Sequence, residues 1–189
     1  MAMRYSAPMS SRQTLPLLWL FSDARNDAAL EGALARLPHG SGFVFRHYHL
    51  AGPERRARFD QLAALARAHG HTVVLAGDAA NGAKWGAGWG ADGVYGSVAR
   101  IASQAGGLRL GTAHDGDELQ AANQAQLDGV FLSPVFPTRT HPGAGVLGIH
   151  GFTVLAQQAL VPVIALGGMT AEGARALNWP RWGAIDGLA

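Results

Sequence analysis

Cysteine is absent from the 189-residue chain, and lysine occurs once, as Lys84. Without cysteine the protein has no disulfide framework, no thiolate metal site and no cysteine nucleophile. No apolar run reaches the ~18 residues that a membrane-spanning helix needs. The sequence therefore predicts a protein without a membrane segment, and we expect it to act in the cytoplasm.

Charged side chains are also scarce, at 15% of the residues, whereas 48% are hydrophobic. The formal net charge is only +2, and the basic residues are spread along the chain instead of forming a stripe with interleaved aromatics. This pattern does not predict nucleic-acid binding. A chain of this length and composition is typical of one globular domain, which we expect over residues 1–189. Within it, residues 1–14 form an irregular leader.

Short apolar runs alternate with helical patterns along the whole chain. Because each helix returns the chain to the same end of a sheet, this order predicts parallel strands, and eight strands are enough to close a compact (β/α)₈ TIM barrel. An open doubly wound sheet is the alternative. No sequence is left for a final helix after the eighth run, so we expect that helix to be missing. The predicted strands are 15–21, 42–50, 72–76, 93–95, 109–112, 130–132, 163–166 and 184–188.

Polar residues and glycines after these strands are the candidate site, because the carboxyl ends of barrel strands line one pocket. Gly167 and Gly168 follow a β-branched strand and precede Thr170, a predicted N-cap, so their backbone N–H groups and the helix start could bind a phosphate. An ordinary strand-to-helix turn is the alternative. The loop 133–148 is a second candidate, because Thr138, Arg139, Thr140 and His141 would place donors beside a ligand.

Histidines supply the candidate proton-transfer groups. His114 ends the fifth predicted strand, where an imidazole could move a proton near neutral pH, and Asp115 and Glu118 beside it could fix its tautomer or cap the next helix. His47 and His49 alternate with Tyr48 along the second predicted strand, so both would face the barrel mouth. Two histidines without a third ligand are weak evidence for a metal site.

Six segments of the chain resemble, in order and spacing, the thiamine phosphate synthase/TenI family. The opening strand ends in Ser-Asp where the family has Thr-Asp, and Ser133–Thr140 is similar to its Gly-Pro-x-Phe-Pro-Thr-x-Thr loop. The family joins a pyrimidine pyrophosphate to a thiazole phosphate with Mg²⁺ or, in its TenI branch, tautomerises the thiazole. The six segments are residues 18–23, 90–95, 111–115, 133–140, 161–169 and 182–189.

The resemblance implies a role for each matching residue. It places the phosphate at Gly167, Gly168 and Met169, and an Mg²⁺ carboxylate at Asp78. It implies contacts to the substrate from Arg46 at the second strand and from Thr138 and Thr140 in the loop after the sixth. His47 and His141 are candidate substrate contacts from their own positions, in the second predicted strand and in that loop.

Several of the family's catalytic groups are replaced in this chain. The second strand keeps the arginine but has no lysine, Ala113 stands where the family has serine, and His141 stands where it has lysine. The family has a second Mg²⁺ carboxylate at the position of Gly96–Ala99, and this segment contains no acid. A neutral imidazole does not replace a fixed ammonium that faces a phosphate.

These replacements favour a thiazole tautomerase, in which His114 moves a proton without a cofactor. The alternatives are a thiamine phosphate synthase that uses Mg²⁺ and a pyrimidine pyrophosphate, and a non-catalytic binder of thiamine precursors. A Schiff-base aldolase is disfavoured because Lys84 lies outside the strands. A homodimer is a further expectation, based on Phe152, Trp179 and Trp182, although core packing explains these aromatic side chains equally well.

Overall fold

The protein is a closed barrel of eight parallel strands in the order β1 to β8. It is a computed structural model that describes residues 14–77, 88–139 and 145–189. Each strand pairs with the next, and β8 pairs with β1 through Leu18 and Trp182, so the barrel has no open edge. The strands are β1 Leu18–Phe21, β2 Gly42–Phe45, β3 Thr72–Ala76, β4 Gly93–Ser97, β5 Leu108–Ala113, β6 Gly129–Leu132, β7 Val163–Ala165 and β8 Trp182–Ala184.

Helices cover the outside of the barrel between the strands. Pro53 in the first turn of the longest helix fits there, because proline needs no N–H partner at that position. Asp115 and Thr170 cap two others, each accepting a hydrogen bond from a backbone N–H three residues on. The helices are α1 Leu30–Arg36, α2 Gly52–Ala68, α3 Val98–Ile101, α4 Gly116–Gln124, α5 Gly148–Ala156 and α6 Ala171–Leu177.

The core consists of a barrel interior and two outer layers. Phe131 is central to the interior, with its ring centroid 5.6 Å from that of Trp19 and 4.9 Å from that of Phe21. Leu20, which lies between Trp19 and Phe21 on β1, belongs instead to the layer beneath α1 and α2. Strand side chains thus alternate between the two sides of the sheet. The large aromatic rings fill the interior, so a ligand has room only at the barrel's ends.

The predicted barrel is confirmed, and the open sheet is excluded because β8 closes on β1. Two predicted strands, the second and the eighth, extend four or more residues beyond the end of the observed strand. β2 ends at Phe45, five residues before the predicted end, because His47 has a φ of 32° and turns the chain out of the sheet. β8 is Trp182–Ala184, and a 3₁₀ helix, Asp186–Leu188, occupies most of the predicted eighth strand.

None of the helices in the described ranges is both long and apolar enough to cross a bilayer. The three aromatic side chains on which the homodimer was expected are packed within the chain. Phe152 is buried, with its ring 5.3 Å from that of Trp179, whose indole N–H donates to the Val163 carbonyl. Trp182 packs partly buried against the same cluster. Core packing therefore accounts for all three.

Candidate active site

A cavity of about 530 Å³ opens at the carboxyl ends of the strands. Its volume lies within the usual range for small-molecule sites, about 300 to 1,000 Å³. Side chains that follow β2, β5, β6, β7 and β8 all reach it, as expected for a barrel. The lining residues are Arg46, Tyr95, Thr112, His114, Ser133, Pro134, Pro137, Thr138, Arg139, Leu166, Gly167, Gly168, Met169, Thr170, Ala184, Ile185 and Asp186.

Seven residues predicted for the site from sequence or resemblance line this cavity. They are Arg46, His114, Thr138, Arg139, Gly167, Gly168 and Met169. His47 does not line it. Thr140 and His141 lie outside the described residues, as does the predicted metal ligand Asp78.

Gly167 and Gly168 form the part of the wall where only glycine fits. Their φ angles are 87° and 63°, in the left-handed region. A Cβ on Gly168 would lie 2.4 Å from the Pro137 carbonyl oxygen, and one on Gly167 would lie 2.6 Å from the Pro134 Cα. Among the described residues nothing accepts a hydrogen bond from the backbone N–H of Gly167, Gly168 or Met169. These three donors are therefore available to an anion in the cavity.

His114 follows β5 and is held by Glu118 in the first turn of α4. The Glu118 carboxylate accepts hydrogen bonds from both the backbone N–H and the Nδ1 of His114, at 2.7 and 2.8 Å. A carboxylate partner requires the proton on Nδ1, so Nε2 of the neutral ring carries the lone pair. Nε2 has no hydrogen-bond partner among the described residues. The ring can therefore accept a proton from a molecule in the cavity.

Arg46 follows β2 directly, and part of its guanidinium is already engaged. Nε donates to the Ser22 carbonyl at 3.2 Å, and one Nη2 hydrogen bonds to the Asp23 carboxylate. Burial raises the pKa of Asp23, but hydrogen bonds from Arg25 and the charges of Arg46 and Arg25 outweigh it and hold that pKa below its ordinary value. Among the described residues, three of the five guanidinium N–H donors have no hydrogen-bond partner and remain for a ligand.

His47 is not a cavity residue, contrary to the prediction from a continuous strand. Its side chain is buried, with Nδ1 2.8 Å from Ser22 Oγ and Nε2 2.7 Å from Asp27 Oδ1. Because the strand has ended at Phe45, the side chain points away from the barrel mouth and into the layer beneath α2. Both ring nitrogens are used, so a metal pair of His47 and His49 has no available lone pair on His47.

The buried His47 and His71 predict that acid destabilises the protein. Burial lowers the pKa of both rings; Asp27 partly opposes this at His47, where the positive charges of His49 and Arg58 reinforce it. Each ring therefore stays neutral in the folded state while the unfolded chain takes up a proton below its ordinary pKa of about 6.5. The stability they contribute is complete above that pH and is lost as the pH falls.

Urea unfolding between about pH 8 and pH 5 checks this expectation through the slope of unfolding free energy against pH. The slope should be positive below about pH 6.5 and smaller in a His47→Asn variant. The lowered pKa values of Asp23 and Asp27 act in the same direction but only below about pH 4, outside this window. A flat profile for the unchanged protein would contradict the expectation.

Two polar residues of the cavity were missed because the prediction considered only residues beyond the strand ends. Tyr95 and Thr112 lie within β4 and β5, and their side chains hydrogen-bond to each other. Burial raises the pKa of Tyr95, so its hydroxyl stays protonated at neutral pH. Alternate residues of a strand face the same side of the sheet. Because Thr112 comes two residues before His114, this rule would have placed Thr112 on the cavity side of β5.

Two charged side chains complete the wall. Arg139 is exposed and forms no hydrogen bond or ion pair with any other described residue. Asp186, after β8, has a carboxylate oxygen 3.6 Å from Arg25 Nη1. Within the described ranges, Arg139 is therefore the cation on this wall whose charge is not already paired.

The described residues do not fit a metal ion. No group of three or more His, Cys, Asp or Glu side chains within them could hold one. Asp186 is the one carboxylate among the described lining residues, and a cation beside it would face the guanidiniums of Arg46 and Arg139.

Comparisons with known proteins agree with this architecture. Residues 19–181 match the family model described as thiamine monophosphate synthase. A thiamine-phosphate synthase of Geobacillus thermodenitrificans is 29% identical over 88% of this chain and 79% of its own length. A second one, from Azorhizobium caulinodans, is 36% identical over 38% of this chain and 32% of its own.

Solved structures show the same fold at low identity. A thiamine phosphate pyrophosphorylase from Pyrococcus furiosus superposes with a TM-score of 0.74, at 20% identity over 92% of this chain and 87% of its own. The YdjI aldolase from Escherichia coli has a TM-score of 0.65 at 8% identity, covering 90% of this chain and 75% of its own. At these identities the likeness establishes the barrel and not the reaction.

Fold and cavity together define a small (β/α)₈ barrel with a ligand-sized cavity at the carboxyl ends of its strands. The family match narrows this class of proteins, because it covers most of the chain and includes β2 and β4 to β7, which supply most of the cavity lining. The chain belongs to the thiamine monophosphate synthase family, which includes the TenI branch.

Proposed function

We propose that this protein binds a thiazole phosphate and catalyses a tautomerase-type proton transfer on it. The observation that carries the proposal is that His114, Gly167 and Gly168 line one cavity. Among the described residues, neither the Nε2 of His114 nor the backbone N–H groups of the two glycines have a hydrogen-bond partner. The amides would hold the phosphate. Neutral His114 would take a proton from the thiazole ring and return it at another ring position, so no cofactor or net electron transfer is needed.

Synthase activity is the second candidate, because the curated relatives are named thiamine-phosphate synthases. Synthases of the family use Mg²⁺, and a departing pyrophosphate needs its charge neutralised by metal and cations. Removing one such stabilising donor costs about 2.7 to 4 kcal/mol, and this chain lacks several. A binder of thiamine precursors without turnover is the third candidate.

Calorimetric titration separates the three candidates. The chain is titrated with hydroxyethylthiazole phosphate, its carboxylated form and hydroxymethylpyrimidine pyrophosphate, each with Mg²⁺ and with EDTA. We expect both thiazole phosphates to bind equally well with and without Mg²⁺, and NMR to show that a non-aromatic tautomer of the carboxylated thiazole phosphate is converted to the aromatic thiazole. Binding without isomerisation would identify the precursor binder. Mg²⁺-dependent binding of the pyrimidine, with pyrophosphate release on adding the thiazole, would identify the synthase.

Replacement of Arg139 by glutamine tests the charge of the phosphate wall. Arg139 is unpaired among the described residues and follows Pro137, which packs against Gly168, so we infer that its guanidinium contacts the phosphate. A hydrogen bond to a charged group contributes about 1.5 to 3 kcal/mol, so affinity should fall roughly 10-fold to 150-fold. Arg175→Gln is the matched control, because Arg175 pairs with Glu172 away from the cavity. Unchanged affinity in Arg139→Gln would contradict the inference.

A cytoplasmic location and a homodimer are parts of the proposal that need their own tests. Phe152 and Trp179 give the homodimer no support, since they pack against each other. Sedimentation velocity at micromolar concentration would distinguish a monomer from a dimer, and fractionation of cells that express the protein would test the location.

A further inference from the structure

His47 has a strained backbone conformation next to a cavity residue. Its φ of 32° lies outside the regions that residues with a side chain ordinarily occupy, and it directly follows Arg46. Such conformations are destabilising and persist where surrounding contacts enforce them. The strain therefore suggests that the contacts of His47 serve the residue beside it.

Those contacts hold the imidazole on three sides. Asp27 accepts a hydrogen bond from Nε2–H at 2.7 Å, which leaves Nδ1 to accept one from the Ser22 hydroxyl at 2.8 Å. The ring also stacks on Phe45, with centroids 4.7 Å apart and planes within 2°. Arg58 fixes Asp27 in turn, by donating from Nε to Oδ1 at 2.8 Å. The ring is neutral, buried and fully hydrogen-bonded.

Ser22 connects this ring to Arg46. Its Oγ accepts a hydrogen bond from the Arg46 backbone N–H at 2.7 Å, while its carbonyl accepts one from Arg46 Nε at 3.2 Å. Because Ser22 gives its own hydroxyl hydrogen to His47, both lone pairs of Oγ remain available to Arg46. His47 thus determines which way the Ser22 hydroxyl points.

We propose that His47 is a positioning residue that acts through Ser22 to hold Arg46 at the cavity wall. The proposal rests on the proposed function to the extent that Arg46 contacts the ligand. Arg46 is held at both its backbone and its side chain. Its backbone N–H donates to the Ser22 hydroxyl, its Nε donates to the Ser22 carbonyl, and its Nη2 donates to the Asp23 carboxylate. Its three remaining donors then meet an anion without first losing conformational freedom, which is what preorganisation contributes to affinity.

The test uses variants that keep the backbone turn. His47→Gly accepts the positive φ and loses both ring hydrogen bonds, whereas His47→Asn tolerates the same φ and can retain one. Ser22→Ala removes the connecting hydroxyl. His150→Asn is the matched control, because His150 is exposed on α5 and does not line the cavity. Denaturation at the assay temperature establishes that each variant is folded.

Affinity for hydroxyethylthiazole phosphate is measured for His47→Gly, for Arg46→Gln and for the double variant. We expect His47→Gly to weaken binding about 10-fold, His47→Asn less, and His47→Gly to change affinity less than about twofold when Arg46 is already glutamine. Equal effects in both backgrounds would overturn the proposal, because His47 would then act on the site as a whole. An unchanged affinity in His47→Gly would also overturn it.

A second readout does not depend on any ligand. The Nε–H resonance of Arg46 in NMR spectra should exchange slowly with water in the unchanged protein and at least tenfold faster in His47→Gly and Ser22→Ala. If no thiazole phosphate binds, the proposed function fails while this exchange measurement still decides the positioning role. Unaltered exchange in folded variants would overturn it.

Discussion

Replacement of His114 by glutamine is expected to reduce thiazole isomerisation by about 10²-fold to 10⁴-fold, the usual contribution of a positioned acid or base. Glutamine has a similar length and can still hydrogen-bond to Glu118, but it cannot carry a proton at neutral pH. The phosphate contacts at Gly167 and Gly168 are untouched, so affinity for the thiazole phosphate should change less than about threefold. Parallel rate assays and calorimetry check both parts.

Glu118→Gln gives a graded comparison. It keeps the hydrogen-bonding geometry at His114 but removes the negative charge that favours the proton on Nδ1. We expect a smaller loss of rate than in His114→Gln, because an amide still orients the ring but favours the proton on Nδ1 less strongly than a carboxylate does. Full activity in His114→Gln would exclude His114 as the proton carrier, whatever the behaviour of Glu118→Gln.

The barrel was predictable because its signals are local and repeated. Short apolar runs separated by helical patterns occur eight times, and parallel pairing follows from that order. The strand bounds were less predictable, as β2 shows. Phe45 to Leu50 has the apolar and polar alternation of a strand, but Ser22 and Asp27 hold His47 in a left-handed conformation. Those partners lie 25 and 20 residues earlier in the chain, so no window around His47 contains the cause.

The cavity was predictable in part for a related reason. Residues just beyond a strand end, such as Arg46 and His114, are visible from the strand boundary alone. Tyr95 and Thr112 lie inside strands, and they reach the cavity because Phe21 and Phe131 fill the barrel only up to that level. That level is set by the volumes of aromatic rings from different strands, which a reading of one strand at a time does not provide.

Replacement of Gly168 by alanine is expected to destabilise the protein and weaken phosphate binding. The new Cβ would lie 2.4 Å from the Pro137 carbonyl oxygen and 2.8 Å from the carbonyl carbon of Phe136, both backbone atoms that cannot rotate away. Overpacking costs about 1 to 3 kcal/mol, and the φ of 63° adds strain for a residue with a side chain. We expect a loss of about 2 kcal/mol or more of unfolding free energy.

Gly148→Ala separates the two causes. Gly148 has nearly the same φ, 62°, but an added Cβ would meet no atom within 4 Å, so this variant reports the backbone strain alone. Gly168→Ala should lose more stability than Gly148→Ala in urea unfolding, and it alone should weaken thiazole phosphate binding, by at least about 10-fold if the free amides of the wall carry the anion. If the folded Gly168→Ala variant bound as tightly as the unchanged protein, the phosphate would have to lie elsewhere, because the wall cannot accept that Cβ without moving the Pro137 segment away from the glycine amides.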